Sequence, residues 1–66
     1  MTDFDRTFTP AEIRKMLGMT VEETAKIFGI SHMTLQRREA GESEWKAKEI
    51  KMLSELSHIP ISRISF

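Results

Sequence analysis

The segment Ser31 to Arg37 (SHMTLQR) gathers the side chains best suited to recognition chemistry in this 66-residue chain. Gln36 offers a donor and an acceptor side by side, and Arg37 a fork of donors. Ser31 and Thr34 add hydroxyls, His32 a ring N–H, and Met33 an adaptable apolar surface. Together they form neither a charged solvated face nor a second apolar stripe. The plain alternative is a solvated helix face with one spare methionine, but such a face usually carries acids, and none appears here before Glu39.

Covalent and metal chemistry find little support. His32 and His58 are the only histidines, they lie far apart, and the chain has no cysteine. No thiolate metal set or disulfide framework can be assembled, and a domain of this size hardly encloses a ligand pocket of ~300 Å³. No enzyme activity and no cofactor is expected. His58 beside Ile59 and Pro60 reads as a helix-end residue that complements the dipole.

Ten lysines and arginines balance ten aspartates and glutamates. Residues 1–30 hold four bases and five acids, 31–41 two and one, and 42–66 four and four, so only the middle segment is net positive. A dedicated nucleic-acid binder usually shows a stronger basic footprint. No apolar run approaches the ~20 residues needed to span a bilayer. The opening MTDFDRTF carries acids where a secretory signal would carry bases. The chain is expected to be soluble and cytoplasmic, without a membrane partner.

Glycines at 18, 29 and 41 each close a similar phrase. TPAEIRKMLG opens with Thr9 as cap, Pro10 at the first helical position and Glu12 reaching back, with Phe8 and Ile13 placed to staple. TVEETAKIFG repeats the device with Thr20 and Glu23. SHMTLQRREAG uses Ser31 as cap, and Ile30 and Leu35 as staple. The pattern predicts helices at about 10–17, 21–28 and 32–40, and a fourth from near Ser43 covering 44–56. Trp45, Ile50, Met52, Leu53 and Leu56 supply the apolar positions of the fourth helix. Trp45 is expected to anchor packing. Lys46, Lys48 and Lys51 alternate with Glu44, Glu49 and Glu55 and read as a solvated face. Phe4, ahead of the first cap, either packs on the bundle or protrudes.

After Pro60, residues 57–66 leave Ile59, Ile61, Ile64 and Phe66 as an apolar tail, either a last short helix or an extended strand. It closes the core beneath the first and fourth helices, or else forms a homodimer contact. The whole, residues 1–66, is expected to be one all-α domain, a compact bundle of four to five helices. Only GIS separates the second and third helices, the spacing of a helix-turn-helix. Any small bundle of capped helices would share much of this pattern.

LGMTVEETAKIFGISHMTLQRREAG also resembles the Cro/repressor-type helix-turn-helix proteins, often called the XRE family. The shared features are Leu-Gly before the second helix, a Thr cap, Glu-x-Ala, Gly-Ile-Ser at the turn and Glu-x-Gly at the exit. The resemblance covers about residues 10–56. It implies a transcriptional regulator whose third helix enters the DNA major groove. It also implies a structural ion pair between Arg14 and Glu39. On that reading Gln36 pairs with adenine, Arg37 grips guanine or a phosphate, and Thr34 or Met33 meets a thymine methyl. His32 donates a further hydrogen bond, while Thr20, Ser31 and the helix N-termini suit phosphates.

Two departures weigh against double-stranded operator DNA as the partner. Val21 stands where the family often places a phosphate-holding glutamine. The loop GESEWK offers Glu42 and Glu44 where bases are usual, and carboxylates repel phosphates. Operator binding is nevertheless the first expectation. The alternative is an antirepressor, in which the same face with Glu42 and Glu44 covers the basic DNA-binding surface of a partner repressor. Small regulators of phage genetic switches include both kinds.

Overall fold

Four helices and a final turn are laid out largely by short-range hydrogen bonds. The computed structural model describes residues 6–66; Phe4 lies outside them. Helices α1 (Pro10–Met16), α2 (Val21–Phe28), α3 (His32–Glu39) and α4 (Ala47–Ser57) follow in order, and a 3-10 turn spans Ile61–Arg63. Thr9 accepts the Glu12 N–H at 3.2 Å while the Glu12 carboxylate accepts the Thr9 N–H at 3.0 Å. Thr20 and Glu23 repeat the exchange at 3.1 and 2.9 Å. Ser31 accepts the Thr34 N–H at 3.1 Å, but threonine at this position has no carboxylate to return the bond.

These two caps are titratable. The Thr9 and Thr20 backbone N–H groups, with the threonine hydroxyls adding to them, hold the Glu12 and Glu23 carboxyls below their ordinary value of 4.5. A lowered folded-state pKa contributes stability that is complete above the unfolded value and disappears as pH falls through the folded one. The thermal midpoint should therefore stay level on the neutral side of 4.5 and fall at more acid pH. Glu23→Gln, which keeps a capping acceptor without a titrating proton, should flatten that fall when circular dichroism melts are compared across pH.

Gly29 makes the turn between α2 and α3. Its φ of +72° lies in the left-handed region, and no neighbour crowds the place of a Cβ, so the demand is on the backbone alone. The turn lets the Ile30 N–H return to the Ala25 carbonyl at 3.0 Å, the six-to-one bond of a Schellman ending. Ala25 is buried, and together with Ile13, Phe28, Leu35, Leu53 and Ile64 it forms the core. Phe8, Val21, Ile30, Trp45, Met52 and Ile59 pack around it.

Helix α4 begins at Ala47, three residues later than the expected 44. Ser43 does not cap it, because its hydroxyl instead accepts from the Arg38 guanidinium at 3.3 Å. Trp45 sits in the extended connector and meets Phe28 edge to face, with ring centroids 6.2 Å apart, and Phe66 in a similar inclined arrangement at 6.0 Å. The aromatic anchor and the Arg38 contact keep the connector out of the helix.

The tail adopts both of its expected forms in succession. After the 3-10 turn, Ile64 is extended and forms a parallel bridge with Phe8. The Phe8 N–H donates to the Arg63 carbonyl and the Ser65 N–H to the Phe8 carbonyl, each at 2.8 Å. Ile64 is thereby buried beside α1, while Ile61 and Phe66 stay half exposed. No helix among the described residues is long and apolar enough to cross a membrane.

Candidate functional site

The free face of α3 is set by its two inward positions. Leu35 is fully buried and Arg38 nearly so, which turns His32, Met33, Gln36 and Arg37 to solvent. At 100° per residue these four occupy one continuous arc of about 140°. Met33, 56% exposed, lies inside it and leaves an apolar centre among polar neighbours.

Thr34 departs from the expected outward set. It is half buried on the flank of the arc, and its Oγ1 accepts a hydrogen bond from the Ser31 hydroxyl at 2.9 Å. Since Ser31 Oγ also accepts the Thr34 N–H, the two side chains are tied to each other. Ser31 therefore spends its own proton inside the cap. The Thr34 hydroxyl proton is the one left for an outside acceptor.

Two ion pairs hold the arc in place. Arg14 of α1 makes a two-pronged contact with Glu39, Nε to Oε2 at 2.8 Å and Nη2 to Oε1 at 3.1 Å. The same guanidinium donates to the Met19 carbonyl at 3.2 Å, so it joins α1, the approach to α2 and the end of α3. Side-chain exposures of 13% and 11% take this pair out of the weak surface class.

The second pair had no place in the reading of the sequence. Glu49, assigned there to a solvated face, is 2% exposed. Its carboxylate accepts from Arg38 Nε at 2.7 Å and from the Lys46 N–H at 3.0 Å. With the Arg38 contact to Ser43, one buried network joins α3, the connector and α4. The available signal was register: Arg38 lies three residues after Leu35, and Glu49 four before Leu53, on the inward faces of consecutive helices. No buried side-chain nitrogen or oxygen among the described residues lacks a hydrogen-bond partner.

The remaining candidates flank the arc. Thr20 is exposed at the start of α2, though its hydroxyl oxygen already accepts the Glu23 N–H. Val21 packs half buried against the core and presents no polar group outward. Glu42 and Glu44 are exposed on the connector just beyond α3. The face thus combines an acid-free arc with an acidic shoulder at its C-terminal end. Among the described residues no cluster of histidine or carboxylate side chains is placed to hold a metal ion.

Residues 11–64 match the helix-turn-helix family. No curated protein and no solved structure matches the chain. With most of its length covered, the chain belongs to that family as a helix-turn-helix protein of the Cro/XRE type, a type of DNA-binding transcription regulator.

Proposed function

We propose that this helix-turn-helix protein regulates transcription in a phage-type genetic switch by laying the arc of α3 in the major groove of operator DNA. The observation that carries the reading is the arc itself. His32, Gln36, Met33 and Arg37 are exposed together, with no acid among them, on a helix braced at its end by Arg14. Gln36 and Arg37 match the edges of adenine and guanine, and Met33 the thymine methyl. Thr34 offers a hydroxyl proton at the flank. Thr20 and the free N–H groups at the starts of α2 and α3 would supply phosphate contacts, while Ser31 contributes by capping α3.

Binding to a pool of random duplexes, followed by fluorescence anisotropy at low and moderate salt, tests this. An operator binder holds non-cognate DNA with a dissociation constant of ~10⁻⁴–10⁻⁶ M and releases it steeply as salt rises. Absence of binding at low salt would refute the operator reading. On a site selected from such a pool, Arg37→Ala should cost ~1–3 kcal/mol and relax base preference at one position, because a guanine-reading fork has been removed.

One observation favours a second reading. Glu42 and Glu44 stand exposed on the connector just beyond α3, and carboxylates repel phosphates. An acidic shoulder beside an apolar methionine suits the basic DNA-binding surface of a partner repressor, which the chain would cover as an antirepressor. Binding to such a domain without binding to duplex DNA would select this reading over the first.

A further inference from the structure

The chain holds five methionines and no cysteine, so its oxidisable sulfur is all thioether. Met1 lies outside the described residues. Met19 and Met52 are half-buried, and Met52 packs against the core. Met16 and Met33 are open to solvent, at 61% and 56% exposure, and neither takes part in the core. Their settings differ. Met16 ends α1 and belongs to no site described above. Met33 stands inside the arc of α3, between Gln36 and Arg37, and is the one apolar side chain of that arc.

We propose that Met33 is a redox-sensitive modification site, whose oxidation to the sulfoxide by hydrogen peroxide releases the protein from operator DNA. The site so assigned rests on the operator reading above. The step transfers one oxygen atom. A sulfur lone pair attacks one peroxide oxygen, and the S–O bond forms as the O–O bond breaks. The departing hydroxide takes the proton from the transferred oxygen and leaves as water. Sulfur loses two electrons and the peroxide gains them. Methionine sulfoxide reductases reverse the change: two thiols supply the electrons and become a disulfide, and the oxygen leaves as water.

The place of the sulfur decides what the step does. Reduced, Met33 is a flexible apolar surface suited to a thymine methyl. The sulfoxide adds a dipole and an acceptor oxygen that such a methyl cannot satisfy, and burying it unpaired in the groove weakens binding. The core is undisturbed, because Met33 lies outside it. At Met52 the same oxygen would intrude on the core packing and would be read as lost stability. Oxidation at Met33 is read as lost affinity at constant stability.

Limited peroxide treatment of the full chain, with each sulfoxide mapped by peptide mass spectrometry, tests the proposal when anisotropy follows binding to a duplex selected as above. Protein oxidised at Met33 should bind ~10- to 100-fold more weakly than untreated protein, and its circular dichroism melt should not move. Treatment with the two sulfoxide reductases and dithiothreitol should restore the affinity. Met33→Leu removes the thioether, and peroxide should leave that variant's own affinity where it was. Met16→Leu keeps Met33 and should lose affinity on treatment as the wild type does. Equal binding before and after oxidation at Met33 would overturn the proposal, and so would a loss that Met33→Leu fails to prevent. Failure of untreated wild type to bind any duplex would refute the operator reading and this site together, whereas the two preceding outcomes refute the site alone.

Discussion

Glu49→Ala should unfold a large part of the protein at 25 °C. The substitution leaves the Arg38 guanidinium, 9% exposed, without its carboxylate, and the Lys46 N–H loses the acceptor that starts α4. Removing one partner of a buried pair costs ~3–5 kcal/mol. A single core of this size rarely supplies more than ~3–5 kcal/mol in total, so the loss is comparable to the whole stability. Urea unfolding followed by circular dichroism measures it, and a cost below ~1 kcal/mol would mean that the pair behaves as a surface contact. The double variant R38M/E49L separates the charge from the pair. Apolar replacement of both partners is often neutral or stabilising by ~1–4 kcal/mol, which offsets the lost Lys46 N–H acceptor, so this variant should be clearly more stable than Glu49→Ala. It also lacks the Arg38 contact to Ser43, and the connector that carries Glu42 and Glu44 should then exchange its amide hydrogens faster.

The second large effect concerns those two acids. Glu42→Lys with Glu44→Lys takes the net charge from 10 − 10 = 0 to 12 − 8 = +4. If α3 reads DNA, the double variant gains up to two phosphate contacts, and the slope of log affinity against log salt should steepen by up to ~1.8. Binding to random duplexes should then rise ~10- to 100-fold at low salt. If the face instead covers a repressor, reversing charges that meet that partner's lysines and arginines should cost several kcal/mol and abolish the complex. Anisotropy with duplex DNA, beside calorimetry with a candidate repressor domain, reads both arms. Neither affinity moving would show that the shoulder touches neither partner.

The start of each of the first three helices was legible because a cap is a local device. Thr9 with Glu12, Thr20 with Glu23 and Ser31 with Thr34 are bonds between residues three apart. Side-chain type and order are enough to place them. The start of α4 was illegible for the opposite reason. Ser43 followed by Glu44 and Trp45 resembles a helix start, but Arg38 claims the serine and Phe28 claims the tryptophan. Both competitors come from other elements.

Much of the α3 face was visible in the same way, since the inward registers of Leu35 and Arg38 leave His32, Met33, Gln36 and Arg37 outside. Thr34 lies at the flank of that face because helix register sets it beside the buried Arg38, and its Oγ1 there meets the Ser31 hydroxyl. Glu49 was misjudged because alternating signs along α4 describe a solvated surface equally well, and only the packing of α3 against it removes the water.

By itself, then, the order of residues determined the capped helices, the glycine turn at 29 and the family to which the chain belongs. It also determined which side chains of α3 have the chemistry to recognise a surface. The tertiary structure decided which charges are buried and which are displayed. Arg14 meets Glu39 across 25 positions and Arg38 meets Glu49 across 11, and the Phe8 bridge to Ile64 spans nearly the whole described chain. A cap forms wherever three consecutive peptide units turn. A pair between helices exists only once burial of Ile13, Phe28, Leu35 and Leu53 has brought those helices together, because apolar burial has no direction and fixes contacts only through the shape it closes.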